Sequence, residues 1–185
     1  IGKSTLTAII ILFIMSTRPH CRGMVTANTS DQLRTKTWAE LGKWKKRCIF
    51  GHWFEYNNGK GNMNLYHKEF PESWRTDAQT CREENSESFA GLHSASEPFW
   101  FVFGNPTRNS GRFRECWRKF RHRWHTEIVD SRTVQITNKD KIAEWIKDYG
   151  EDSDFVKVRV RGVFPSQSVK QYFPENIIEA ARGRH

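Results

Sequence analysis

The apolar run Leu6–Met15 (LTAIIILFIM) follows directly on Gly2-Lys3-Ser4-Thr5, and it narrows the possible folds more than any other stretch. An unbroken apolar segment has to be hidden from water. At roughly ten residues it is too short to cross a bilayer as a helix, which takes about 20. No small-x-small cleavage site precedes Ser16-Thr17-Arg18, so a signal-peptide core does not fit either. The run therefore predicts a buried helix inside a globular α-containing domain. Eight Trp and 13 Phe supply further apolar surface and argue against disorder. A length of 185 residues predicts one domain, and residue 1 being Ile rather than Met reads as a piece of a longer chain. The four Cys, at 21, 48, 81 and 116, form no CxxC or CxH pair, so they are expected to be reduced, mostly buried thiols rather than zinc ligands.

Further along, Cys21–Ala27 reads as a strand and Asn28-Thr29-Ser30 as a turn. Ser30 or Asp31 would cap a helix running through QLRTKTWAELGKWKK, with Leu33, Thr37, Leu41 and Trp44 on one face. Phe50–Tyr56 and Asn62–Tyr66 flank Asn57-Asn58-Gly59-Lys60-Gly61, a hairpin-type connection. Trp74–Cys81 is a further strand candidate. Pro98–Phe103 (PFWFVF) is wholly apolar and predicts a strand buried on both faces. Gly111–Arg121 and Lys139–Tyr149 read as helices. In Asp154–Val163, Val156, Val158 and Val160 alternate with Lys157, Arg159 and Arg161, a period of two that favours a strand. Strands alternating with helical patterns predict an α/β architecture with a mostly parallel sheet flanked by helices.

Gly2-Lys3-Ser4 has the order that phosphate binding demands. Glycine lets backbone N–H groups close around phosphate oxygens, the Lys ammonium reaches the outer phosphates, and the Ser hydroxyl can ligate Mg²⁺ at a helix start whose dipole favours anions. The triplet closes a G-x-x-x-x-G-K-[ST] pattern whose first half would lie upstream of Ile1. Gly2, Lys3, Ser4 and Thr5 are therefore the nucleotide-binding candidates, with ATP and Mg²⁺ as the implied cofactors and Ser4 as the metal contact. An ordinary core helix preceded by a chance Gly-Lys-Ser is the alternative. Hydrolysis also needs an apolar strand ending in a metal-binding Asp followed by a water-polarising Glu. Glu127-Ile128-Val129-Asp130 is the nearest approach and has only two apolar residues before Asp130, with Ser131 after it. The hydrolytic half of the site is not recognisable.

Three other segments carry chemical possibilities. The loop Gly104-Asn105-Pro106-Thr107-Arg108-Asn109-Ser110-Gly111 follows the apolar Phe99–Phe103. The ends of strands in α/β folds are where ligand-sensing groups sit, so Asn105, Thr107 and Arg108 are candidates to report phosphate state. Arg112–His125 (RFRECWRKFRHRWH) is the most basic stretch. Phe113, Trp117, Phe120 and Trp124 recur in it at steps of four, three and four, which reads as a core-facing stripe. Arg112, Arg114, Arg118, Lys119 and Arg121 on the other faces could neutralise DNA phosphates or simply be solvated. The acidic Glu83–Glu87 stretch, ahead of Ser88–His93, is explained by a helix start rather than a metal site.

Taken together, the order GKST with its apolar helix, VTANTSDQLRTKTWAEL, WRTDAQTCREENSESFAGLH, FVFGNPTRNSGRFRECW, RWHTEIVDSRTV and YGEDSDFVKVRVRGVFP resembles the ATPase domain of tailed-bacteriophage terminase large subunits, the motors that package DNA. The Gly-Asn-Pro-Thr-Arg-Asn-Ser-Gly block and the closing YGEDSDFVKVRVRG-x-FP are its specific parts. The resemblance implies a partial, RecA-like (ASCE) P-loop NTPase fold. Lys3 and Ser4 would contact phosphates and Mg²⁺. Thr26-Ala27-Asn28-Thr29 would line the nucleotide or DNA path. Gly104, Asn105, Pro106 and Thr107 would form the loop coupling hydrolysis to DNA movement. It implies a helix rather than a strand in the Tyr149–Pro165 region. Residues 1–165 would be a truncated ATPase domain with an internal deletion near 94–98, where the family keeps its metal-binding Asp and catalytic Glu. Residues 166–185 would be a linker toward an absent nuclease domain. The implied partners are double-stranded DNA, the portal protein, the small terminase subunit and further copies of the chain. The implied setting is the cytoplasm of a bacterial host, with no membrane contact. The missing carboxylates predict an inactive ATPase.

The net charge of +9 and a sequence pI near 9.6 support a second expectation from a different class: a non-catalytic basic DNA-binding remnant of a decayed prophage gene. A helicase is a third, disfavoured because nothing resembles helicase arginine motifs.

Overall fold

The computed structural model describes residues 2–80 and 100–166. The expectations for Glu83–His93, for the junction at 94–98 and for the linker beyond Ser166 lie outside those residues. The chain forms two compact units, 2–101 and 102–185.

In the first unit, Lys3–Thr17 forms helix α1. Arg22–Ala27 forms strand β1 and Ser30–Gln32 the short helix α2. A wide π turn over Leu33–Trp38 then leads without a break into α3, Ala39–Arg47. Strands β2 (Phe54–Gly59), β3 (Asn62–His67) and β4 (Arg75–Thr80) follow. The cap of α2 is Thr29, one residue ahead of the expected Ser30 or Asp31: its hydroxyl accepts the Gln32 N–H at 3.2 Å. The π turn explains why the expected face shifts. Leu33 and Trp38, five residues apart, are both fully buried, and Trp38 takes the place expected of Thr37.

The sheet order is β1-β4-β3-β2. Among the described residues, β1 and β4 pair in parallel, while β4–β3 and β3–β2 are antiparallel. The sheet is therefore mixed rather than mostly parallel. The reason is connection length: β2 and β3 are joined by Lys60-Gly61 and β3 and β4 by 68–74, too short for a crossover to a parallel neighbour. The expected hairpin forms, but its connection is shorter than 57–61: Asn57–Gly59 pair within β2 and the turn is Lys60-Gly61, with Gly61 at φ +81°, a left-handed conformation that glycine tolerates.

Helices α1 and α3 both pack on one face of this sheet. The core comprises Ala8, Ile11, Leu12 and Met15 from α1, Leu33, Trp38 and Leu41 from the second helix, and Phe54, Met63, Leu65 and Trp74 from the sheet and its margin. Each large side chain so buried is worth about 1.5–3 kcal/mol. Three polar anchors set the distances. The Trp74 indole donates to Met15 O (2.9 Å), the Trp38 indole to Asn57 O (2.7 Å), and the Tyr56 hydroxyl to Trp38 O (2.7 Å). Gly42 makes room for the Tyr56 ring, which would come within 2.8 Å of a Cβ there. Leu6–Met15 is thus helical as expected, but it is buried on one side only; Leu6, Ile9 and Phe13 are exposed. No described helix is long and apolar enough to cross a membrane.

The described part of the expected 98–103 strand, residues 100–103, departs from it. Residues 100–103 belong to no strand, and Trp100 is 71% and Phe103 40% exposed. An apolar run forms a buried strand only if a neighbour offers it a hydrogen-bonding edge, and these residues have none among those described.

In the second unit, the expected helix over Gly111–Arg121 shrinks to a single turn, α4 (Arg112–Glu115), followed by turns and a 3₁₀ turn at Arg121–Arg123. Lys139–Tyr149 forms α5 as expected, capped by the Asn138 side chain and ended by Gly150 at φ +83°. Asp154–Val163 is helical rather than extended: α6 (Asp154–Val156) continues into a π turn over Lys157–Arg161. Ser153 overrides the alternating valines by capping, with its hydroxyl accepting the Val156 N–H at 3.2 Å. Ile142, Val156 and Val160 form a small core flanked by Trp145, Ile146 and Phe155.

Candidate functional site: the first turn of α1

Gly2 precedes α1 in a left-handed conformation (φ +72°), with open space where a Cβ would stand. The helix ladder opens with Leu6 N–H donating to Gly2 O at 2.8 Å. The backbone N–H groups ahead of Leu6 have no acceptor within the helix, as at any helix start. No acidic residue occupies this first turn. The local groups are the Lys3 ammonium, the Ser4 hydroxyl and these N–H groups. That donor-rich set fits a phosphate. No group of three or more His, Cys, Asp or Glu side chains that could hold a metal exists among the described residues. A magnesium ion here would have the Ser4 hydroxyl as its protein ligand, with phosphate oxygens and water completing its shell.

Thr5 points elsewhere. Its hydroxyl donates to Glu40 Oε2 at 3.0 Å, across 35 residues of sequence. The same carboxylate accepts from the Trp44 indole (3.1 Å) and the Lys43 ammonium (3.3 Å). The Thr5 bond, more than any other contact, holds the Glu40 carboxyl below its ordinary range, assisted by Lys43 and Trp44 and opposed by partial desolvation. Sequence reasoning missed Glu40 altogether. The contact depends on α1 and α3 packing side by side, which no local motif announces.

Thr26-Ala27-Asn28-Thr29 lies at the carboxyl end of β1 and supplies the Thr29 cap. The Gly104–Thr107 loop belongs to the other unit. Pro106 is buried there, Gly104 rests against the Phe113 ring, and the Thr107 N–H donates to Asn105 O at 2.8 Å. Thr107 and Arg108 are exposed.

The basic stretch divides by role. Arg112, Arg118, Lys119 and Arg121 are exposed, whereas the Arg114 guanidinium lies over the Phe164 ring at 4.3 Å. Arg121 also donates to Trp124 O at 2.9 Å. Phe113 and Trp117 gather around Phe164 at 5.9 and 6.0 Å, so these two aromatics are packing residues, as expected, although a long helix does not carry them. Asp130 is engaged by Arg132 through contacts of 2.6–3.0 Å, which disposes of it as a free metal ligand. Cys21, Cys48 and Cys116 are free thiols as expected, but half-buried rather than buried.

No protein-family model, curated protein or solved structure matches the chain.

Proposed function

We propose that this chain is a fragment of a phage terminase large subunit, with the first turn of α1 as its nucleotide seat. The observation that carries this is the Gly2–Ser4 turn itself: a left-handed glycine, a lysine and a serine opening a half-buried helix. That helix leads into β1 and the Thr29-capped helix within one compact unit, an order compatible with a partial P-loop domain. The helical 154–161 segment is also what the resemblance implies. Lys3 would neutralise the outer phosphates and Ser4 would hold Mg²⁺; the metal would supply charge neutralisation for phosphoryl transfer. Residues 104–107 would be the coupling loop.

The test is nucleotide binding and turnover by the purified 185-residue chain. ATP should bind, and Lys3→Ala should weaken it about tenfold, the worth of one charge-assisted contact. Turnover should be negligible. Equal binding by parent and Lys3→Ala would remove the seat, and robust Mg²⁺-dependent turnover abolished by Lys3→Ala would remove the claim of inactivity.

The exposed Arg112, Arg118, Lys119 and Arg121 favour a second reading, a basic remnant that binds duplex DNA without sequence preference. Its binding should fall steeply with salt, and variants neutral at Arg118, Lys119 and Arg121 that bind as well as the parent would sink it.

A further inference from the structure

We infer that the turn following α3 is a binding surface for single-stranded nucleic acid: Trp53 offers a ring on which an unpaired base stacks, and Lys46 and Arg47 beside it take the flanking phosphates. The surface lies in the 2–101 unit and rests neither on the α1 turn nor on the arginines of 112–121.

The sequence concentrates two chemistries here. Residues 43–53 (KWKKRCIFGHW) carry three lysines and an arginine and no carboxylate, interleaved with Trp44, Phe50 and Trp53. Lys45, Lys46 and Arg47 close the last turn of α3, where cations suit the negative end of the helix dipole. The dipole accounts for the charge. It does not account for the apolar groups left in water next to it: Ile49 is 88% and Trp53 42% exposed. Exposed rings beside a run of cations complement a partner that is both anionic and flat-faced.

The fold brings the two sets together. The chain leaves α3 through two tight turns, with the Cys48 N–H donating to Lys45 O at 3.2 Å and the Gly51 N–H to Cys48 O at 3.0 Å. Gly51 then packs so closely on the Lys45 carbonyl that a Cβ there would collide with it. Trp53, at the end of the 3₁₀ turn Gly51–Trp53, donates its N–H to Phe50 O at 3.1 Å and accepts the Lys68 N–H at 3.0 Å. Its ring has Phe50 at 6.0 Å and His52 at 5.9 Å, with the fully buried Phe54 at 6.5 Å, so the stacking face is held in place. The Arg47 guanidinium is ordered in turn by the Trp44 ring, over which it lies at 5.7 Å. Lys46 and Arg47 are exposed and make no ion pair among the described residues. The nearby acids are committed elsewhere: Glu40 to Thr5, Trp44 and Lys43, and Glu55 to Lys68 at 3.4 Å.

The exposed rings select an unpaired strand over a duplex. In a duplex the base faces cover one another and only edges and phosphates are offered, whereas a single strand presents faces. An anionic membrane would call for an amphipathic element with a continuous apolar face to bury. Here the exposed apolar groups sit on a turn, and the apolar side of α3, with Leu41, is already spent on the core.

The experiment measures fluorescence anisotropy of labelled oligothymidylate and oligouridylate, each of about 12 nucleotides, and of a duplex of the same length, over a range of salt concentrations. It uses the full 185-residue chain. The parent should bind the single strands more tightly than the duplex. Trp53→Ala should weaken single-strand binding at least about fivefold, and Trp53→Phe, which keeps a ring, should restore most of it. Lys46→Gln combined with Arg47→Gln should make the slope of log K against log salt shallower by about 1.4, from roughly 0.7 for each of two phosphates. Tighter binding of oligothymidylate or of oligouridylate identifies DNA or RNA as the ligand, and either result supports the surface. Trp53→Ala binding the single strands as the parent does would overturn it, as would an unchanged salt slope in the double variant. Binding to phosphatidylserine vesicles with none to either oligonucleotide would also overturn it and assign the turn to a membrane. Circular dichroism checks the fold of each variant. Should Trp53→Ala unfold, the double variant, which alters only exposed side chains, still decides.

Discussion

Among the described residues, the 2–101 unit buries Trp38, Phe54, Leu65, Leu33 and Leu41 completely between two helices and a four-stranded sheet, whereas the buried cluster of the 102–166 stretch is the smaller set Ile142, Val156 and Val160. The second region compensates with polar ties. The Lys139 ammonium donates to three carbonyls, Ser131 O (3.3 Å), Arg132 O (2.6 Å) and Val134 O (2.6 Å). Arg132 links Asp130 to Glu151, at 2.6 and 2.7 Å. The difference teaches where cooperativity resides. Apolar burial is shared among many neighbours, so removing one residue is felt across the unit. Exposed ion pairs and hydrogen bonds act locally, each offset by the water it displaces.

The largest test of this contrast is a pair of core truncations. Trp38→Ala should cost about 3–5 kcal/mol, because it leaves a cavity at the meeting point of helix and sheet. Ile142→Ala should cost about 2 kcal/mol, at the low end for its class, because few neighbours surround it. Denaturant unfolding followed by near-ultraviolet dichroism measures both. Equal losses would erase the distinction between the regions.

Amide exchange sharpens it further. The β3 amides of Asn64–Tyr66, paired on both sides, should exchange at least about a hundredfold more slowly than those of Trp100–Phe103, which belong to no strand. Comparable protection in the two would mean that 100–103 finds a sheet after all.

The smallest effect belongs to the Arg132 network. Asp130 is held below the ordinary carboxylate range chiefly by the hydrogen bonds from Arg132. Its folded state therefore binds a proton less readily than its unfolded state. The stability it adds is present above the unfolded value of about 4 and is lost as pH falls through the folded value. Asp130→Asn should cost under about 1 kcal/mol at neutral pH, since the pair is partly exposed, and should flatten the acid limb of stability against pH. An unchanged acid limb would show that the network contributes nothing measurable.

The same contrast explains what could be read in advance. The β2–β3 hairpin and α5 were legible because their signals are local: Gly61 and Gly150 sit where positive φ is needed, and Asn138 caps its own helix. The 112–124 aromatics misled because their spacing matches a helical stripe. Phe113 and Trp117 instead find Phe164, far along the chain, and that contact replaces the helix face the pattern suggested. PFWFVF misled for a related reason: apolar character reports a tendency to be buried, not the presence of an edge to pair with. At the candidate site, Gly2-Lys3-Ser4 was visible as a motif. Glu40 was not, since only the side-by-side packing of α1 and α3 brings it to Thr5.

The wide turn at Leu33–Trp38 has a consequence for that pairing. Each helical residue turns the chain by about 100°, so the looser winding there sets the phase of everything after it. Trp38, the last residue of that coil, meets Asn57, and Glu40, just beyond it, meets Thr5, so the same slack winding indexes both. Shortening that coil by a single residue would swing the carboxylate a quarter-turn or more out of alignment while every residue at the α1 terminus stayed as it is.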